Sequence, residues 1–195
     1  MTVAALYVDP VAGPYPDLIG LEQCWGLERD AKTYPGPGAV IAHPPCGPWG
    51  SFRWNCSKQD PGAGPFAVTQ VRRFGGVLEH PAFSTLWKEC DLPLPLGPPF
   101  LFCPAEFTIQ VDQCRWGHPC RKRTWLFFSG IDPAKIPAVP AWQRPTHCIG
   151  GSRDTREKRK AGLLPPLPQL GGGAGSTSHL TPPAFAAWLL AAVSA

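Results

Sequence analysis

The stretch Ala39-Val40-Ile41-Ala42-His43-Pro44-Pro45-Cys46-Gly47-Pro48-Trp49-Gly50 carries the strongest signal for how the chain folds. Four apolar residues stand between Gly36-Pro37-Gly38 and His43-Pro44-Pro45. That run is too short for a helix and suits a strand covered on both faces. The prolines stiffen its exit, and the glycines beyond let backbone come close to another group. On either side, the same pattern of an apolar run cut off by turn residues recurs at 4–8 (AALYV) before Asp9-Pro10, and at 76–78 (GVL) before Glu79-His80-Pro81. It recurs again at 108–111 (TIQV) and at 124–128 (TWLFF) before Ser129-Gly130.

Helical patterns lie between these runs. Phe66, Val68, Val71 and Phe74 recur at near-helical spacing, with Gln70, Arg72 and Arg73 on the other face. Residues 83–90 (FSTLWKEC) predict a second, short helix. Residues 182–193 predict a third, with Thr181 as N-cap and proline in the first turn ahead of AFAAWLLAAV. Strands alternating with helices predict a single α/β layered domain over 1–195. Residues 131–175 form an irregular insert, and 176–195 bring the last helix back to the core. GGGAG at 171–175 has the composition of a flexible linker.

Composition bounds the function. Apolar residues make up 44% and charged residues 16% of the 195, which excludes a disordered acidic or basic chain. The 26 prolines and 21 glycines are about double average usage, so elements must be short and connections turn-rich. No stretch approaches the roughly 20 apolar residues that span a bilayer, and the first residues lack the pattern of a signal peptide. The expected compartment is the cytoplasm, with no membrane partner. A net charge of +4 is mildly basic and permits nucleic acid. Eight cysteines stand at 24, 46, 56, 90, 103, 114, 120 and 148 without any CxxC, and a cytoplasmic chain argues against disulfides.

In α/β sheets the reacting groups collect at the carboxyl ends of strands. Three such ends carry chemistry here. Cys46, just past a strand, is placed like a nucleophile, although a packed cysteine in a stiff loop reads the same way. Glu79 can orient or protonate a ring nitrogen, or can simply serve as an acid at a helix N-terminus. Arg121-Lys122-Arg123, leading into a strand, can hold phosphates or form a solvated loop. Trp49, Phe52 and Trp54 follow Cys46 and offer faces on which a base could stack, or ordinary core. Arg153, Arg156, Lys158, Arg159 and Lys160 form the densest basic cluster.

Taken together and in order, these motifs resemble the cytosine-C5 DNA methyltransferases, in the form of a trimmed, phage-type member. Pro45-Cys46 is similar to that family's Pro-Cys loop. Glu79-His80-Pro81 is similar to its Glu-Asn-Val strand end and keeps only the Glu. Gly117-His118-Pro119-Cys120-Arg121-Lys122-Arg123-Thr124 resembles its Gly-x-Pro-Gln-x-Arg-x-Arg segment. Thr181-Pro182-Pro183-Ala184-Phe185 resembles the start of its C-terminal helix. The resemblance implies a methyltransferase-like Rossmann sandwich and C5 modification of a pyrimidine in DNA, acting in the cytoplasm of a phage host. It implies Cys46 and Glu79 as catalytic residues, and Trp49, Ser51, Arg121, Lys122 and Arg123 as contacts to DNA or a pyrimidine nucleotide. S-adenosylmethionine is the implied cofactor, with Asp9, Asp30 and Pro44 as its contacts. The family's Phe-x-Gly-x-Gly loop is missing: Tyr7-Val8-Asp9-Pro10-Val11-Ala12-Gly13-Pro14 stands there, so weak binding of that cofactor is expected.

Two other readings remain open. One is a non-catalytic DNA-binding descendant of the same fold. The other is a zinc module drawing on Cys103, Cys114, His118, Cys120, His147 and Cys148, whose spacings match no standard knuckle.

Overall fold

Six strands build the sheet, and five of them grow from the apolar runs read above. They are β1 (Val3–Leu6), β2 (Cys24–Trp25), β3 (Ala39–Ala42), β4 (Gly76–Pro81), β5 (Glu106–Asp112) and β6 (Arg123–Ser129). The computed structural model describes residues 2–51, 53–55, 60–95, 105–147 and 180–194. Across the sheet the order is β2-β1-β3-β4-β6-β5. β1 pairs in parallel with β2 and with β3, and β3 in parallel with β4. β6 is antiparallel to both of its neighbours, β4 and β5. The described residues therefore form a mixed α/β sheet in which only β6 is reversed.

Side chains alternate between two cores. On one face Val3, Ala5, Ile41, Val77, Leu126 and Phe128 pack against α4 (Pro183–Ser194) and Tyr15 of α1 (Tyr15–Ile19). On the other, Ala4, Leu6, Val40, Leu78 and Phe127 pack against α2 (Ala63–Phe74) and α3 (Leu86–Glu89). Phe185 and Leu189 of α4 are fully buried, each stabilising the fold by roughly 1.5–3 kcal/mol through area removed from water. β1 and β3 are apolar throughout because both of their faces are covered.

Element boundaries differ from the sequence reading for local reasons. β1 stops at Leu6 because Tyr7 takes a positive φ of 60°, which no strand accommodates. The second expected helix shrinks to α3, since Phe83 also has a positive φ, 65°. The cap of α4 falls on Pro182 rather than Thr181: the Pro182 carbonyl accepts from the N–H groups of Phe185 and Ala186. β4 opens on Gly76, where a Cβ would stand 2.0 Å from the Val40 carbonyl, so only glycine lets β3 and β4 close up at that point.

No helix among the described residues is long and apolar enough to cross a membrane.

Candidate active site

The chain reverses its direction of sheet growth at β1: β2 is added on one side and β3 on the other. The carboxyl ends of β1 and β3 are thus the position at which open α/β sheets bind ligands. The parallel register sets Ala42 opposite Leu78, so His43 and Glu79 are the next residues out along neighbouring strands. Because β6 is reversed, its first residues, Arg123 and Thr124, lie at this same edge, with Thr124 opposite Pro81.

Glu79 is the hub. Its Oε1 accepts a hydrogen bond from Gln113 Nε2 at 2.8 Å, with the Thr124 hydroxyl 3.5 Å away. Its Oε2 lies 3.2 Å from His43 Nδ1, and His43 Nε2 lies 2.6 Å from the Tyr15 hydroxyl. Burial pushes the Glu79 carboxyl up, but the Lys122 ammonium and the His43 hydrogen bond outweigh it and hold the pKa down at about 2. Burial, and then the Glu79 charge, keep the Tyr15 phenol protonated far above its ordinary range. An ionised Glu79 can only accept, so His43 carries hydrogen on Nδ1 and donates to it, while Nε2 shares a hydrogen bond with the Tyr15 hydroxyl.

Gln113 is anchored through its side-chain nitrogen and its backbone N–H. Its Nε2 also donates to Thr124 Oγ1 at 3.0 Å, while its Oε1 is buried and meets no partner among the described residues. The Lys122 carbonyl accepts from the Gln113 backbone N–H at 3.2 Å and from the Thr124 hydroxyl at 3.1 Å. Lys122 makes this turn with a φ of 36°.

Cys46 sits on the loop leaving β3, exposed and outside any disulfide. Its carbonyl accepts from the N–H groups of Trp49, at 3.1 Å, and Gly50, at 2.8 Å. The Trp49 carbonyl in turn accepts from the Thr85 N–H and hydroxyl, which ties the loop to the start of α3. The Trp49 ring packs on the core with its indole nitrogen against Gly64 of α2, whereas Ser51 and Trp54 are exposed. Phe52 and the basic cluster at 153–160 lie outside the described residues, as do Cys103 and Cys148. Among the described residues no three His, Cys, Asp or Glu side chains converge to hold a metal ion.

His80 points to the opposite face of β4 from Glu79. It is fully buried near Trp87, and neither ring nitrogen makes a hydrogen bond among the described residues. Burial drives its pKa down to about 4, against the pull of the Glu79 charge and the nearby Pro45 carbonyl.

The basic triplet does not act as one patch. Arg121 pairs with Asp112 at 2.9 Å and lies 5.4 Å from the Trp142 ring centre. Lys122 donates to the Leu180 carbonyl at 3.3 Å and supplies the charge that Glu79 feels. Arg123 lies 5.5 Å from the centre of the Phe83 ring.

The three residues expected at a cofactor have local duties. Asp9 Oδ1 accepts from the N–H groups of Val11, at 2.8 Å, and Ala12, at 3.0 Å; these bonds lower its pKa. Asp30 Oδ1 accepts from the Lys32 N–H and so caps a 3₁₀ turn at Ala31–Thr33. Pro44 is buried beside His43. A crevice of about 440 Å³ opens beyond β1 and β2, lined by Pro10, Leu21, Glu22, Gly26, Glu28 and Arg29. Its size suits a small ligand. The preceding loop does not suit S-adenosylmethionine as a phosphate- or nucleoside-cradling turn would: the Val11, Ala12 and Gly13 N–H groups are all bonded to Asp9, and Pro10 and Pro14 have none.

Sequence reasoning singled out Cys46 and Glu79 but missed His43, Tyr15, Gln113 and Thr124 as parts of one network. The available signal was the position of His43, directly after a strand and before Pro-Pro-Cys.

Comparison with family models, with curated proteins and with solved structures gives no match.

Proposed function

We propose that the protein modifies C5 of a pyrimidine base in DNA by covalent catalysis through Cys46. The observation that carries this reading is that an exposed cysteine on the β3 exit loop and an ionised, hydrogen-bonded carboxylate, Glu79, one residue past the last β3–β4 pair on the adjacent strand β4, share one edge of the sheet. The sheet, parallel but for one reversed strand, is compatible with a methyltransferase-like Rossmann sandwich.

The Cys46 thiolate adds to C6, and the electron pair of the C5–C6 bond moves onto C5 and into the ring. Glu79, held as an acceptor by His43 and Gln113, takes hydrogen bonds from the ring N–H or exocyclic amino group and fixes the base. It orients the base and does not protonate it, because its proton is lost far below neutral pH. Gln113 Oε1, without a partner among the described residues, supplies a second buried acceptor beside it. C5 then attacks the electrophilic carbon of a donor, whose bond to its leaving group breaks with the electron pair going to the leaving group; the C5 hydrogen leaves as a proton to water, the C6–S bond breaks, and the thiolate is restored. Methyl transfer is the default by resemblance, but the Asp9 loop offers S-adenosylmethionine no free amides.

That closed loop favours a second reading, a DNA-binding descendant that no longer binds the donor. Calorimetric titration of S-adenosylmethionine into the protein, with and without DNA, separates the two. Saturable micromolar binding supports the transferase; no heat in either titration supports the descendant or a different donor. The test of the reading itself is mass spectrometry of nucleosides from DNA exposed to the protein, where a new C5-substituted pyrimidine is expected.

A further inference from the structure

Four large aromatic rings are exposed among the described residues: Trp54 at 78%, Phe83 at 62%, Trp142 at 48% and Phe66 at 40%. Three of them stand beside arginines. The Arg53 guanidinium lies 4.2 Å from the Trp54 ring centre, and Arg123 5.5 Å from that of Phe83. Trp142 has two, Arg115 at 5.6 Å and Arg121 at 5.4 Å.

The same three rings belong to the carboxyl edge of the sheet. Trp54 follows the β3 exit loop. Phe83 stands two residues past β4, where the Ala82 N–H is bonded to the Arg123 carbonyl. Trp142 is held beyond β5 and β6 by Arg115, which donates to the Pro140 carbonyl at 2.6 Å, and by Arg121, which is paired with Asp112, the last residue of β5. Rings and arginines thus alternate along β3, β4, β6 and β5, three strand spacings or about 14 Å. Cys46, on the β3 exit loop, and Glu79, on β4, belong to the same edge.

Phe83 carries a second mark. It holds a φ of 65°, a conformation that disfavours a bulky side chain, and yet most of its ring faces solvent. One face touches the Trp125 ring, 5.2 Å between centres. Backbone strain that displays an apolar ring instead of burying it is the kind found where a ligand is gripped.

We infer that this edge binds unpaired DNA, with bases stacked on Phe83 and Trp142 and phosphates on the neighbouring arginines. The inference rests on the DNA reading above and names the form of its substrate. A duplex keeps base faces inside its own stack and would meet only the arginines; exposed rings interleaved with cations are useful to a strand whose bases are splayed out.

The test is equilibrium binding of a labelled twelve-nucleotide mixed-sequence single strand and of its duplex, without any methyl donor. The single strand is expected to bind at least tenfold more tightly than the duplex. Phe83→Leu, which keeps an apolar contact with Trp125, and Trp142→Ala should each weaken single-strand binding by about five- to a hundredfold. Neither should change the slope of log K against log salt, because no phosphate contact is removed. Equal or tighter duplex binding, no single-strand binding, or variants that bind like the parent would overturn the inference. Its failure is distinct from failure of the chemistry. If the binding pattern holds and no base is modified, the inference stands and the proposed reaction falls; if bases are modified and the pattern is absent, the reverse is true.

Discussion

His43 and Glu79 leave adjacent parallel strands one residue beyond their last shared register and meet side chain to side chain, Nδ1 to Oε2, at 3.2 Å. A strand-end histidine thereby fixes the carboxylate that stands beside the candidate nucleophile's loop, and Tyr15 fixes the histidine from behind.

Glu79→Gln is expected to lower turnover about a hundredfold or more while DNA affinity changes little. The new amide can accept with one atom only, and its NH₂ opposes either Gln113 or His43, both of which donate. Turnover and affinity are measured separately, by single-turnover kinetics and by titration. If affinity collapses while turnover per bound complex holds, Glu79 is a structural residue.

His43→Ala and Lys122→Met both remove an influence that lowers the Glu79 pKa. In each variant that pKa rises, so a reaction that needs the carboxylate ionised fails at a higher pH as the solution is acidified. The acid limb of the pH–rate profile should therefore move upward in both, with affinity for DNA retained in the His43 variant. An acid limb that stays in place would separate Glu79 ionisation from the rate.

Arg121→Gln with Arg123→Gln should reduce the slope of log K against log salt by about 1–2, the loss of two phosphate contacts. Lys122→Met should leave that slope nearly unchanged, because its ammonium faces the Leu180 carbonyl and Glu79. A larger slope change for Lys122 than for the two arginines would reverse these roles.

His80→Phe tests the buried imidazole on the far side of β4. In the folded protein His80 takes a proton only near pH 4, whereas an unfolded chain takes it near the ordinary 6.5. Its contribution is complete above pH 6.5 and is lost as the pH falls through that window, by about 3 kcal/mol in all. The Glu79 contribution is lost further down, from the ordinary carboxylate range towards pH 2. Urea unfolding at about pH 7, 5.5 and 4, a series spanning the histidine window, should show the wild type losing stability relative to the variant as the pH drops. A constant difference across the three would refute the assignment.

The fold was legible wherever burial on both faces left an unbroken apolar run. Residues 39–42 coincide with β3, and 124–128 fall one residue inside each end of β6. β2 was not legible, since two residues, Cys24 and Trp25, cannot show a period. Neither was the reversal of β6, because direction is set by pairing partners and leaves no mark on composition. In the site, Cys46 and Glu79 could be picked out from their strand ends. The contacts that define Glu79 could not: Gln113 is 34 residues away and His43 36, and only the folded sheet brings them together. The basic triplet was legible as charge, but its division among Asp112, Leu180 and Phe83 follows from the turn at Lys122.

Covalent catalysis by Cys46 stands or falls on nucleoside mass spectrometry of DNA from cells expressing the protein, set beside cells expressing Cys46→Ser. Serine changes the exposed loop by one atom and leaves the fold intact, so it isolates the thiol. The expected result is a new C5-substituted pyrimidine with the wild type and none with the variant. Unaltered pyrimidines with the wild type, or the same new species with Cys46→Ser, would contradict it.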